Sequence, residues 1–305
     1  MNAFLFPGQG SQEVGMGADL FRADPAFRKR VQQASDDVGE DLERVCLRGP
    51  EKKLCRTSFL QPLLVAVSLG YLQRLLEQGI APDVVLGHSL GELSALAASG
   101  VVTADDAVRM AARRGALMDR VAAETDGGML AVTMQDRERT LALVERVVVA
   151  NDNAPNQIVL SGRVADLEAT AGRIAAERVG RCRRLAVAGP WHSPFMAEAR
   201  REFARWVEPL SFRPPRTQLI LNATGEVETD PAAIKRHVTD TLAGPVRWRS
   251  CMDTLRRLAP DALLEIGPGR VLSGLARANG FDDRTRVLSV NNLQGVHRAA
   301  AGRHA

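Results

Sequence analysis

The sequence predicts an α/β fold: a large domain with a mostly parallel sheet covered by helices, carrying an inserted smaller ferredoxin-like domain. Two observations predict the large domain. Short apolar, β-branched runs alternate with longer helical segments, and the runs at 3–6 and 84–86 are apolar throughout, with 262–266 apolar but for Glu265, as in strands buried on both faces. A third observation predicts the insertion. Strands at 129–133, 147–150, 157–161 and 182–187, with helices at 136–146 and 164–178, follow the order β-α-β-β-α-β. The boundaries expected are 1–126 with 192–305 for the large domain and 127–191 for the small one.

In chain order, the first strand, Ala3-Phe4-Leu5-Phe6, runs into Pro7-Gly8-Gln9-Gly10-Ser11-Gln12. Gly-x-Gly after a strand invites a dinucleotide reading, but the third glycine of that fingerprint is absent, since position 13 is Glu13. An amide-rich loop at the carboxyl end of a parallel strand is better suited to offering N–H groups to an oxyanion. Surface helices fill 20–47, and Gln61-Pro62 opens an apolar helix over 63–76 ended by Gly79.

The strand Val84-Val85-Leu86 then enters Gly87-His88-Ser89-Leu90-Gly91, followed by a helix at 93–99. Strand, Gly-x-Ser-x-Gly and helix in succession form a nucleophile elbow, with the serine at a sharp turn above a hydrolase-like sheet. The helix N-terminus behind it points free N–H groups at developing negative charge. A helix at 104–123 contains Arg113-Arg114-Gly115. Adjacent helical side chains diverge, so at most one of these arginines faces the serine. After the insertion come a helix at 196–208, a strand at 219–222, helices at 232–242 and 249–258, a strand at 262–266, the turn Gly267-Pro268-Gly269, a short helix and a strand at 287–290. The tail after Leu293 is expected to be loosely held.

A serine nucleophile requires a base, and five histidines are present: His88, His192, His237, His297 and His304. His88 adjoins the serine, which directs its ring elsewhere. His237 lies in a charged helix and two others near the terminus. His192, in Gly189-Pro190-Trp191-His192-Ser193-Pro194, remains as the base, where the insertion returns to the large domain and a cleft is expected.

Hydrophobic residues make up 45% of the 305, enough for a large core, so disorder is not expected. No apolar run approaches the roughly 20 residues of a membrane span. The N-terminus enters a strand without the basic start of a signal peptide. Cys46, Cys55, Cys182 and Cys251 are scattered, which argues against a disulfide framework or a zinc site. These features together predict a cytoplasmic protein with no membrane partner. The net charge of +4 is too small for a nucleic-acid footprint but favours acidic partners.

Gly8-Gln9-Gly10-Ser11-Gln12, Gly87-His88-Ser89-Leu90-Gly91-Glu92, Arg113-Arg114-Gly115 with Met118, and His192-Ser193-Pro194 occur here in the order found in one family. Asn151-Asp152-Asn153-Ala154-Pro155-Asn156-Gln157, Pro245-Val246-Arg247-Trp248 and Glu265-Ile266-Gly267-Pro268-Gly269 extend the match over nearly the whole chain. The sequence resembles the malonyl-CoA:acyl carrier protein transacylases, including the acyltransferase domains of polyketide synthases. The resemblance implies a monomer with no cofactor, using malonyl-CoA as substrate and an acyl carrier protein as partner. It implies Ser89 as nucleophile and His192 as base, with the amides of Gln9 and Leu90 as oxyanion hole. Arg114 would pair with the malonyl carboxylate, and His88 and Trp191 would also bind substrate. The carbonyl of Thr241 or a close neighbour would orient His192 in place of an acid.

Two positions depart from the family pattern. Family members often carry an amide residue where Thr241 stands, which matters little if a backbone carbonyl does the orienting. Trp191 stands where malonyl-selective members often have phenylalanine and fatty-acid enzymes serine. The competing readings are an esterase, a hydrolase of carrier-protein thioesters, and a non-catalytic scaffold. The esterase would require an acid between Ser89 and His192, and the hydrolase has no need of Arg114.

Overall fold

The computed structural model describes residues 1–282 and 284–301. Five strands form one parallel sheet: β1 (Asn2–Phe6), β2 (Val84–Gly87), β7 (Gln218–Leu219), β8 (Ala262–Ile266) and β9 (Arg286–Val290), in the order β7-β2-β1-β8-β9. β2 and β8 are buried along their whole length, as their apolar sequences require of strands covered on both faces. From β1 the chain goes to β2 on one side and much later to β8 on the other, so the sheet has its switch point there. In open parallel sheets the crevice beyond the carboxyl ends at such a point is the usual place for a site.

The second sheet contains β3 (Gly127–Met134), β4 (Val148–Ala154), β5 (Gln157–Arg163) and β6 (Gly180–Arg184), all antiparallel in the order β4-β5-β3-β6. With helices Arg137–Ala142 and Val164–Ala176 between strands, this is the ferredoxin-like arrangement. Leu130, Val132, Ile158 and Leu160 alternate towards the helices and pack with Leu167 and Ile174. β6 begins two residues before the sequence-based strand and ends at Arg184.

The small sheet is stitched to the large one along β4. Val246 donates to the Ala150 carbonyl (2.8 Å) and accepts from the Asp152 amide (2.9 Å). Asp152 also receives Arg137 from the helix Arg137–Ala142 at 2.8 Å and Arg249 from the helix Trp248–Leu258 at 3.1 Å. Asn279 donates to the Asn153 carbonyl at 2.9 Å.

The centre of the core is the helix Thr57–Glu77, buried without interruption from Thr57 to Leu72. It begins at Thr57, ahead of the expected Gln61-Pro62 start, and Pro62 lies inside it. Its first amides, Thr57 and Ser58, donate to the Asp119 carboxylate at 3.1 and 3.0 Å, which supplies the cap that no neighbouring side chain provides. The sequence suggested no apolar run near membrane length, yet this 21-residue helix is long and apolar enough to cross a bilayer. Its most apolar window is 83% buried within the protein, so its composition is that of a core helix covered on all sides.

The tail expected to be loose is instead ordered as the helix Leu293–Ala301. Gly295, Val296 and Ala299 are buried, and the Leu293 amide donates to Asp19, which also accepts from Tyr71 of the core helix. Apolar residues at helical spacing anchor this segment. Residues 302–305, including His304, lie outside the described residues.

Asp119→Ala should cost about 1–2 kcal/mol, the usual loss for a helix cap. A shift of the urea midpoint at constant slope would show it; an unchanged midpoint would mean that water replaces the carboxylate without loss.

Candidate active site

β2 ends at Gly87 and the helix Gly91–Ala98 begins four residues later, so the chain must reverse at His88-Ser89-Leu90. It does so by placing Ser89 in the left-handed region at φ 51°, a conformation unusual for serine and characteristic of strained functional turns. The turn closes because Gly91 has no side chain: a Cβ there would fall on the carbonyl of Phe6, at the end of β1. A Cβ at Gly8 would lie 2.5 Å from the His88 carbonyl, so the loop after β1 is pressed against the elbow. The Gln9 side chain is held by Gln61, whose Nε2 donates to Gln9 Oε1 at 2.9 Å. Among the described residues neither the Gln9 nor the Leu90 amide donates a hydrogen bond.

Asn222, just beyond β7, fixes the elbow from the other side. Its Oδ1 accepts from the Ser89 amide at 2.7 Å and its Nδ2 donates to the Gly87 carbonyl at 2.6 Å. Both sides of the strained residue are thus held by one fully buried side chain. The Asn222 amide in turn donates to Glu92 Oε1 at 2.6 Å.

Ser89 Oγ lies 2.7 Å from His192 Nε2. His192 Nδ1 faces two carbonyls, of Thr241 at 2.7 Å and of Gly244 at 3.2 Å. A carbonyl can only accept, so Nδ1 carries the proton and Nε2 presents its lone pair to the serine hydroxyl. Thr241 caps the helix Pro231–Asp240, where terminal carbonyls lack partners within the helix, and His192 satisfies one of them. Burial, followed by the nearby charge of Arg114, pushes the imidazole down to about 3, against weaker support from the Thr241 carbonyl. The ring is therefore neutral at physiological pH. His192 itself lies at φ 56°, a second left-handed residue.

Arg114 approaches from the middle of the helix Ala104–Glu124 and donates from Nη2 to Ser89 Oγ at 3.2 Å. It is buried, and its Nη1 has no partner among the described residues. Burial lowers the guanidinium to about 10, so it remains charged. Arg113 points away and lies 3.6 Å from Glu202. Gly115 lets this helix press on the core helix at Thr57.

The structure thus joins Ser89, His192, Arg114 and the Thr241 carbonyl through hydrogen bonds and sets the Gln9 loop against them. It sends the His88 ring elsewhere: Nε2 lies 2.8 Å from Asn153 Oδ1 and the ring meets Trp248 edge-on at 5.2 Å. Trp191 is buried against Gly189, with its indole N–H unpartnered among the described residues. No metal-binding cluster occurs among the described residues.

The family model of the acyl transferase domain matches residues 3–293. Malonyl CoA-acyl carrier protein transacylase of Bacillus subtilis is 32% identical over 97% of this chain and 95% of its own. The chain belongs to the malonyl-CoA:acyl carrier protein transacylase family. Among solved structures, a malonyl-transacylase in complex with its type II polyketide synthase acyl carrier protein superposes with a TM-score of 0.91, at 34% identity and 99% coverage of both chains. The transacylase of Xanthomonas oryzae pv. oryzae gives 0.91 at 32% identity, covering 99% of this chain and 98% of that one. The two-sheet architecture is that of this family of acyltransferases.

Asn222 and Gln61 carry no signal in the sequence, and Gly244 joins Thr241 as a neighbouring carbonyl. Asn222 reads locally as a strand end, and its role depends on β7 lying beside β2, which no local pattern encodes.

Because His192 stays neutral far below its ordinary range, labelling of Ser89 by a serine-directed electrophile should hold its rate from about pH 7 to about 5. A base with an ordinary imidazole pKa would lose most of that rate over the same interval. A loss of that kind, with the circular dichroism unchanged, would refute the low value.

Proposed function

We propose that this chain moves a malonyl group from malonyl-CoA to the phosphopantetheine thiol of an acyl carrier protein, through an ester on Ser89. The observation that carries this reading is the buried Arg114 guanidinium, which contacts the nucleophile and, among the described residues, keeps one nitrogen without a partner. A guanidinium in that position suits a planar carboxylate, which it can hold with two charge-assisted hydrogen bonds.

In the first half-reaction Ser89 Oγ bonds to the thioester carbonyl carbon while its proton passes to His192 Nε2. The amides of Gln9 and Leu90 stabilise the negative oxygen of the tetrahedral intermediate. The intermediate collapses with cleavage of the C–S bond, and the proton on His192 goes to the departing CoA sulfur. In the second half the carrier thiol gives its proton to His192 and attacks the seryl ester, and Ser89 Oγ leaves and is reprotonated. The Thr241 and Gly244 carbonyls hold the imidazole in the tautomer that both halves use. Trp191 supplies bulk next to the histidine and restricts acyl groups at that side of the pocket. The net positive charge steers an acidic carrier protein towards the enzyme.

With malonyl-CoA, Ser89 should become malonylated and Ser89→Ala should not, as intact mass followed by peptide mapping would show. A label on another residue would displace Ser89 as nucleophile.

Arg114→Ala leaves an unpaired carboxylate in a buried site, a loss of roughly 3–5 kcal/mol, on the order of 10² to 4 × 10³-fold in malonyl loading. Acetyl loading, which has no such carboxylate, should persist. Arg113→Ala, which alters only the surface pair with Glu202, should leave the malonyl-to-acetyl ratio of kcat/KM where it is. A ratio indifferent to Arg114→Ala would remove the carboxylate clamp and malonyl selectivity with it.

A further inference from the structure

Arg114 is a cation 5% exposed, and its contacts do not neutralise it. Among the described residues its one hydrogen bond goes to Ser89, a neutral group. The charge that does act on it is Glu92, which sits 3% exposed on the first turn of the helix behind the nucleophile. Glu92 reaches Arg114 through its field and uses Oε1 to accept from the Asn222 amide at 2.6 Å. The other titratable group facing Glu92 is the buried Cys251 thiol, on the helix Trp248–Leu258, which the carboxylate helps to keep protonated. His192 and His88 are both lowered by burial and stay neutral. With Glu92 ionised the site holds one cation and one anion, and an incoming substrate carboxylate would make a second anion for the same arginine.

We propose that Glu92 is a selectivity residue: its ionised carboxylate competes with the substrate carboxylate for Arg114, and the enzyme loads malonyl with Glu92 protonated. This rests on the reading of Arg114 as the carboxylate clamp. The arrangement has two supports beyond proximity. Two carboxylates sharing one buried cation cannot both remain ionised at low cost, and one takes up a proton. Burial also raises Glu92 to about 7, against the opposing pull of the Asn222 amide and of Arg114, so a proton is accessible near neutrality. Once Arg114 turns to the substrate, one of the two groups that favour the charged form is lost and the affinity of Glu92 for a proton rises further. By linkage, protonation of Glu92 and binding of the malonyl carboxylate favour each other.

The sign of the pH effect follows. Glu92 is protonated below about pH 7 and ionised above it, so malonyl loading weakens relative to acetyl loading as pH rises through that point. Glu92→Gln keeps an oxygen to accept from Asn222 while removing the charge.

The experiment measures kcat/KM for malonyl-CoA and acetyl-CoA from about pH 6 to about 8.5. Titration of His192, of the CoA phosphates and of the leaving thiol is common to both substrates and cancels in the ratio. In the wild type the malonyl-to-acetyl ratio should fall about tenfold or more over this range, and in Glu92→Gln it should stay flat. A flat ratio in the wild type, or a slope that survives in Glu92→Gln, overturns the role of Glu92. The ratio in Arg114→Ala reports separately on the clamp: failure of the clamp leaves it at the wild-type value at every pH. The wild type alone provides a second test if Glu92→Gln does not fold. Stoichiometric loading in weak buffer at about pH 7.5 should take up protons with malonyl-CoA and none with acetyl-CoA. Equal uptake with the two substrates refutes the proposal.

Discussion

The left-handed backbone of Ser89 is the constraint to which the surrounding chain responds. A non-glycine residue at φ 51° costs of order 1–3 kcal/mol and persists only where its neighbours hold it. Here one side chain grips both flanks, since Asn222 accepts from the Ser89 amide and donates to the Gly87 carbonyl. The grip works only if the chain after β7 runs beside β2, and the elbow closes only if the end of β1 comes close enough to touch Gly91. Strand order and a catalytic geometry are in this way the same requirement. The carboxyl ends of β7, β2 and β1 lead, in turn, to Asn222, to Ser89 and to the Gln9 loop.

Charge is the second organising term. Arg114 is buried within hydrogen-bond reach of Ser89, in surroundings where a charge interacts far more strongly than in water. Burial does most to depress His192 and to raise Glu92, and the same cation adds to the first shift and restrains the second. These shifts would be small on the surface. They are large here because the helix Ala104–Glu124 lies against the core helix at Gly115 and excludes water from the face that carries Arg114.

What the sequence disclosed follows the range of the interaction. The elbow, the apolar strands and the β-α-β-β-α-β order were legible because each is written in a few contiguous residues. Glu265 belongs to a motif the eye picks out, and it proves to cap the helix Val271–Ala278 through Leu272 and Ser273. Asn222 was not legible, because nothing near it in the chain signals a partner 133 residues away. Asp119 was hidden for the same reason: it caps a helix that starts 62 residues earlier. The tail reads as loose because its apolar spacing is short, and the helix is secured by Asp19, near the opposite end of the sequence. Elimination was enough to reach His192, but its second carbonyl partner, Gly244, depends on how the turn after the helix Pro231–Asp240 is folded.

The carbonyl partners of His192 also bear on why this site has no acid behind its histidine. An orienting carboxylate would stabilise the imidazolium and add a buried negative charge close to Arg114. Backbone carbonyls fix the same tautomer with dipoles alone, and the imidazole keeps its low proton affinity. On the proposed reading, a pocket that receives an anionic acyl group gains from that choice. Each further anion near Arg114 would weaken its hold on the substrate, and Glu92 is already present as one whose charge can be removed by a proton. If Glu92 takes up a proton as proposed, the site's own groups become net positive when a carboxylate enters and return to neutrality when it leaves.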